Sequence, residues 1–197
     1  MTDSAPTTVA GVCGSLRDDS VSRTALRTAL DAAADRGADT DLLDLREFDL
    51  PAYDPDADEP GDAAELTRRV READAILLAT PMYHGSYSSP LKTALDYCGF
   101  DEFEDKTVGV LAVAGGSFPI TALEHLRSVL RALDAWVLPY QAAVPNASSR
   151  VSDGELTDPE LAERVATLGD RVVQYADIQP DPRSFESEQN VGGSRGD

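Results

Sequence analysis

Five short apolar runs recur along the chain with helical patterns between them, and this alternation restricts the fold more than any other feature. The runs are "TTVAGVCG" from Thr7, "TDLLDL" from Thr40, "AILLAT" from Ala75, "TVGVLAVAG" from Thr107 and "WVLPYQAAV" from Trp136. Continuous rather than alternating apolarity marks strands covered on both faces, as in a parallel sheet. Between them, Leu26 and Leu30 repeat at helical spacing within a segment from Ser22 to Arg36, and Leu66 and Val70 do so between Asp62 and Glu72. Leu123, Leu126, Leu130 and Leu133, and then Leu161, Val165, Leu168 and Val172, repeat at three and four. "SPLKTALDYC" supplies a shorter helix opened by Pro90, a residue suited to a first turn.

Strands that alternate with helices require right-handed crossovers and helices on both faces of the sheet. Five such units in 197 residues fit an α/β, flavodoxin-like three-layer sandwich with a five-stranded parallel sheet in the order 2-1-3-4-5. Residues 7–177 form that domain, residues 1–6 read as a flexible leader, and 178–197, with Pro180, Pro182 and the final "GGSRGD", read as a disordered acidic tail. In this architecture ligands bind beyond the carboxyl ends of the strands, beside strand one. The loops at those ends are therefore the ones to read.

Acids outnumber bases by 36 to 17, for a formal charge of −19, so neither nucleic acid nor an anionic membrane is an expected partner. Lys92 and Lys106 are the only lysines, and 24 Asp stand against 12 Glu. Together with frequent Ala, Val and Thr, this is the bias of an extreme halophile, in which molar salt screens self-repulsion. The acidity then reports habitat more than substrate. Cys13 and Cys98 have no metal or thioredoxin spacing and read as inert core thiols. No stretch approaches the ~20 apolar residues of a membrane helix, and no signal pattern opens the chain, so a cytoplasmic protein is expected.

The first loop, "GSLRDDSVSR", leaves strand one at Gly14 and enters a helix near Ser20 or Ser22. Free N–H groups at that helix start, the hydroxyls of Ser15, Ser20 and Ser22, and Arg17 as a charge-assisted donor suit a dianionic phosphate. It is not a Walker A or G-x-G-x-x-G loop. Six positions after Cys13 stands Asp19, where a tyrosine-phosphatase loop needs an arginine, and Gly14-Ser15 and Thr80-Pro81 replace the acids of a receiver domain. The loop holds phosphate without attacking it. After strand three, "TPMYHGSYSSPLKTALDY" offers Pro81, the aromatic surfaces of Tyr83 and Tyr87, and N–H groups of "MYHGS" for the polar edge of a planar heterocycle. After strand four, Gly115 and Gly116 allow close backbone approach to a flat ligand, and Ser117 adds a donor.

A phosphate clamp, an aromatic loop and a glycine loop at one sheet edge describe a mononucleotide with a planar ring, and FMN fits best. Only His84 and His125 are histidines, and no Ser-His-Asp, Cys-His or metal-ligand group can be assembled, so no catalytic or metal-binding residue is assigned. A bound flavin needs none, because it carries the chemistry.

At these loops the chain resembles the NADPH-dependent FMN reductase family of flavodoxin-like proteins. The matching stretches are "GSLRDDSVSR", "ATPMYHGSYSSPLKTALD" and "VLAVAGGS", within a span from Val9 to Val144. "ATPMYHGSYSSPLKTALD" is particularly similar to the corresponding stretch of FMN reductases that supply sulfonate monooxygenases. The resemblance implies that Ser15, Arg17, Ser20 and Ser22 hold the FMN phosphate. Pro81, Met82, Tyr83, His84, Gly85 and Ser86 would line the ring and ribityl chain, and Gly115, Gly116 and Ser117 the ring's other edge. Many relatives carry Asn in place of Ser22 and His84. NADPH or NADH is the implied electron donor, with free flavin or a quinone as acceptor, and a homodimer or homotetramer is implied. An FMN reductase is the leading expectation. The alternatives are a quinone, azo or metal-oxyanion reductase that retains FMN, and a flavodoxin-type electron carrier whose acidity would fit but whose phosphate loop lacks an arginine like Arg17.

Overall fold

The apolar runs fold into one twisted sheet, seen in a computed structural model that describes residues 5–58 and 60–178. The expected leader, apart from Ala5 and Pro6, and the expected tail beyond Ile178 lie outside the described residues. In chain order the first half comprises β1 (Thr8–Cys13), α1 (Val21–Asp35), β2 (Asp39–Asp44), α2 (Ala63–Glu72) and β3 (Ala75–Pro81). Next come α3 (Ser89–Tyr97), the single turn α4 (Phe100–Phe103), β4 (Thr107–Val113), α5 (Ile120–Ala132), β5 (Trp136–Val137) and β6 (Ala142–Val144). A hairpin of β7 (Val151–Ser152) and β8 (Glu155–Leu156) precedes α6 (Pro159–Gln174). The main sheet is parallel throughout in the order β2-β1-β3-β4-β5, with β6 also paired to β4. This is the flavodoxin-like order expected, and among the described residues no helix is long and apolar enough to cross a membrane.

Both faces of the sheet are dry, which explains the unbroken apolar runs. Along β3, Ala75, Leu77 and Ala79 pack under α1 and α6, while Ile76 and Leu78 pack under α2, α3 and α5. Each helix buries the stripe its spacing announced: Leu26 and Leu30 on α1, Leu66 and Val70 on α2, Leu126 and Leu130 on α5, Val165 and Leu168 on α6.

The fifth run is not one strand. Pro139 cannot donate to a ladder, so pairing with β4 stops after Val137 and resumes at Ala142. Arg127 of α5 fills the gap, donating from Nη2 to the carbonyls of Leu138 (2.6 Å) and Pro139 (3.2 Å) and from Nε to Gln141 Oε1 (2.7 Å). The β7–β8 hairpin was also absent from the expected order. Its turn is Asp153-Gly154, with φ of 52° and 82°, and an Asp-Gly pair at positive φ is the local sign of a type I′ hairpin.

Helices α1 and α6 touch backbone to backbone at Gly169. A Cβ there would lie 1.9 Å from the carbonyl oxygen of Ala29. Gly169→Ala must therefore push the helices apart. It is expected to cost about 1–3 kcal/mol, read as a lowered midpoint in denaturant unfolding; an unchanged midpoint would refute the contact.

Cys13 is buried and Cys98 partly so, and both are free thiols. Burial pushes Cys98 up to about 12, with the nearby Glu102 carboxylate adding to the shift, and burial raises Cys13 as well. A thiol whose folded pKa lies above its unfolded value contributes stability that is complete below the unfolded pKa and is lost as pH rises toward the folded one. Stability should therefore fall between about pH 9 and 12, less steeply in Cys98→Ala, and a thiol reagent at pH 8 should modify neither cysteine before unfolding.

Candidate functional site

At the carboxyl edge of the sheet, the loop after β1, the loop after β3, the end of β4 and the segment 147–154 enclose one cleft of about 980 Å³. Helix α1 begins at Val21, capped by Ser20, whose Oγ accepts from the N–H of Arg23 at 3.1 Å. The N–H of Thr24 is taken by the Ser20 carbonyl at 3.0 Å, and the N–H groups of Val21 and Ser22 have no acceptor among the described residues, at the positive end of the helix dipole. Ser15, Ser20 and Ser22 are all buried and line the cleft. The Ser15 Oγ accepts from the N–H of Arg17 at 3.4 Å, and the exposed Arg17 side chain has no protein partner among the described residues.

The loop is held from below by a residue the sequence reading passed over. Arg23 donates from Nε to Asp44 Oδ2 at 2.6 Å, from Nη1 to the Asp18 carbonyl and from Nη2 to the Arg17 carbonyl, both at 2.9 Å. Its side chain is 11% exposed and that of Asp44 8%. Asp44 ends β2, and the β1–β2 register sets it directly beside Cys13, the last residue before the loop. Asp18 is tied in turn to Arg46 at 2.7 Å. Gly14 is fixed at both ends: its N–H donates to the Ala79 carbonyl (2.8 Å) and its carbonyl accepts from Ser88 Oγ (2.7 Å). Ser88 is also the cap of α3, so the loops after β1 and β3 share one anchor.

The loop after β3 is a tight turn. Tyr83 and Ser86 exchange both backbone hydrogen bonds (3.0 and 3.1 Å), and His84 and Gly85 between them have φ of 51° and 82°. This is again type I′ geometry, whose first central position favours Asn over a residue such as His84. The Met82 N–H is spent on the Val113 carbonyl, leaving His84 and Gly85 as the only residues of "MYHGS" whose N–H groups lack a protein acceptor among the described residues. Helix α5 braces the turn: Ser86 Oγ lies 3.0 Å from His125 Nδ1, and Thr121 Oγ1 donates to Met82 Sδ at 3.5 Å. Of the expected ring-side residues, Pro81, Met82, Tyr83 and Gly115 line the cleft. His84, Gly85, Ser86, Gly116 and Ser117 stand outside its lining, as does Tyr87, which is half-buried against core residues of α3 and α5. A Cβ at Gly115 or Gly116 would meet nothing within 4 Å, so the bare backbone there faces open space.

The far wall, Ala147, Ser148 and Val151 to Gly154, was not anticipated, although the Asp-Gly pair that folds it was visible in the sequence. The cleft thus has hydroxyls, N–H groups and a free guanidinium at one end, and carbon surface with bare backbone at the other. That donor set suits a phosphorylated, flat ligand. Among the described residues no group of acids, histidines and cysteines converges as a metal site.

Comparison with known proteins agrees with this geometry. A family model described as NADPH-dependent FMN reductase matches residues 7–149. An FMN-dependent NADPH-azoreductase of Staphylococcus aureus is 34% identical over 140 residues, 69% of this chain and 74% of that protein. The flavoenzyme NAD(P)H:(acceptor) oxidoreductase FerB from Paracoccus denitrificans superposes with a TM-score of 0.72 at 27% identity, over 86% of this chain and 97% of its own. An NAD(P)H:quinone oxidoreductase from Methanothermobacter marburgensis shares the fold, with a TM-score of 0.63 at 16% identity over 90% of this chain and 99% of its own.

If Arg23 holds the loop, removing its partner strands a buried cation. Asp44→Ala is expected to cost about 3–5 kcal/mol of stability in denaturant unfolding, whereas Asp44→Asn, which keeps a hydrogen-bond acceptor, should cost less. Equal, small losses in both would show that the pair does not hold the loop.

Proposed function

The chain belongs to the NADPH-dependent FMN reductase family, and on that premise we propose that it is an FMN-dependent NAD(P)H oxidoreductase whose cleft binds the flavin through the residues of its three loops. The observation that carries the reading is the phosphate end: N–H groups of Val21 and Ser22, three buried serines and the Arg17 side chain, which has no protein partner among the described residues, all lining one cleft. At the other end the open backbone of Gly115 and Gly116 leaves the room that a ring without protein side chains above it requires. The residues present therefore fit the group.

When bound, the flavin supplies hydride transfer from NAD(P)H to an acceptor, and the chain's part is to place it. Arg17, Ser15, Ser20 and Ser22 would hold the phosphate against the α1 dipole. Pro81, Met82 and Tyr83 would set the ring against the sheet edge and exclude water from that face, while the free N–H groups of His84 and Gly85 would meet its polar rim. Ser86, Gly116 and Ser117 would contribute at the margin. No side chain is required to hold or move a proton for the hydride step.

The named relatives favour retained FMN and a planar acceptor such as an azo compound or quinone over release of reduced flavin; free flavin is the other acceptor. The protein is further read as a cytoplasmic homo-oligomer from a salt-accumulating cell. Purified at high salt, it should bind FMN, and NADPH or NADH should bleach the flavin absorbance, with recovery on adding an azo dye or quinone. Bound flavin that neither nicotinamide reduces would turn the reading to an electron carrier. Arg17→Ala should weaken FMN binding by about 1.5–3 kcal/mol at low ionic strength and by less at molar salt, as followed by flavin fluorescence. Unchanged affinity at low salt would remove Arg17 from the phosphate site.

A further inference from the structure

The cleft continues past the point where one phosphate would sit. At about 980 Å³ it lies at the upper end of the ~300–1,000 Å³ of ordinary ligand sites, and much of its lining belongs to no part of the FMN site described above. Beyond Ser22 this lining consists of Thr24 and Arg27 on α1, faced by Ser152, Asp153 and Gly154 of the β7–β8 hairpin. From Ser22 to Arg27 the helix rises about 7.5 Å, one phosphate position further along.

Three arginines line the cleft, and they are used differently. Arg23 is consumed internally by Asp44 and the loop carbonyls. Arg17 belongs to the first phosphate. Arg27 is exposed and takes part in none of the ion pairs among the described residues. The three acids of the same cleft form no ion pair with it either: Asp18 pairs with Arg46, Asp19 with no cation among the described residues, and the Asp153 carboxylate accepts from Ser152 Oγ at 3.1 Å. On a chain of charge −19, a free guanidinium lining a cleft with an unengaged Thr24 hydroxyl one turn away is a donor fork without an acceptor. Arginine in such a place is the residue type that accepts a nucleotide phosphate, as where an arginine takes the ribose 2′-phosphate of a dinucleotide.

We propose that Arg27 and Thr24, faced by the Ser152–Gly154 turn, form a second phosphate subsite that holds an adenylate phosphate of a dinucleotide. The subsite rests on the reading of the cleft as a flavin nucleotide site. Two sources share the chemistry: the 2′-phosphate of NADPH, and the adenylate half of FAD bound in place of FMN. Asp153, whose carboxylate accepts from Ser152 Oγ, lines the same space and is of a type suited to ribose hydroxyls.

The test uses the full chain loaded with FMN at the lowest salt that keeps it folded, and compares wild type with Arg27→Gln and Arg27→Lys. Calorimetric titration with 2′,5′-ADP and with 5′-AMP reads the subsite without turnover. The expected result is that wild type prefers 2′,5′-ADP, that Arg27→Gln weakens that ligand about five- to tenfold, and that Arg27→Lys falls between them. In steady state the NADPH KM should rise by the same factor relative to the NADH KM, with kcat little changed. If FAD is the source, Arg27→Gln weakens FAD relative to FMN and leaves the NADPH to NADH ratio alone. The proposal is overturned if Arg27→Gln changes none of these, or if it weakens FMN as much as it weakens the adenylate ligands, which would place Arg27 in the first phosphate site. Failure of the wild-type protein to bind FMN would overturn the proposed function instead, and titration of the flavin-free protein with 2′,5′-ADP would still decide the subsite.

Discussion

Backbone N–H groups that face a ligand cannot also hold their own loop in place. The segment from Ser15 to Ser20 meets this constraint chiefly through its carbonyls, where Arg23 collects those of Arg17 and Asp18, while of its N–H groups that of Arg17 goes to Ser15 Oγ. That use of Arg23 is tolerable only because Asp44 neutralises it, and Asp44 is in position only because β2 pairs with β1 in a register that ends the two strands together. A lysine could not replace it, since one ammonium cannot address a carboxylate and two separate carbonyls through a planar fork. Sheet register, ion pair and loop shape are one arrangement, and the free helix start of α1 depends on all three.

The other walls of the cleft are shaped by two-residue turns of the same type. His84-Gly85 folds the loop after β3 onto α5, and Asp153-Gly154 folds the segment after the broken fifth strand beside α1. Both turns demand positive φ at two consecutive residues, which restricts their sequence far more than their exposure would. Arg127 plays for the broken strand the part that Arg23 plays for the loop after β1, satisfying carbonyls that the backbone left unpaired.

The architecture was legible because strands buried on both faces leave no room for polar residues, so β1, β3 and β4 announced themselves, and their helices carried plain stripes of leucine and valine. The family was legible in the three loops. What stayed hidden depends on contacts between segments far apart in sequence. Nothing local separates Arg17 from Arg23: both are arginines in a serine-rich loop, and only Asp44, 21 residues further on, decides which faces inward. The contact of Ser86 with His125, 39 residues away, is likewise not written in the loop itself. The packing of one side of Tyr87 against core residues of α3 and α5 is set only by the fold. Two misses were local and readable, the proline inside the fifth run and the Asp-Gly pair of the β7–β8 hairpin.

The backbone contact between Gly169 and Ala29 bears on how such a protein can diverge. Because α1 rests on α6 through main-chain atoms, its distance from α6 is insensitive to which side chains surround it, and the loop at its start inherits a fixed origin. The turns at 83–86 and 151–154 have no such tether. Their residues can be exchanged within the limits of their backbone angles without moving the anchor. A lineage built on this plan can reshape the walls of the cleft while the end beside the start of α1 stays constant.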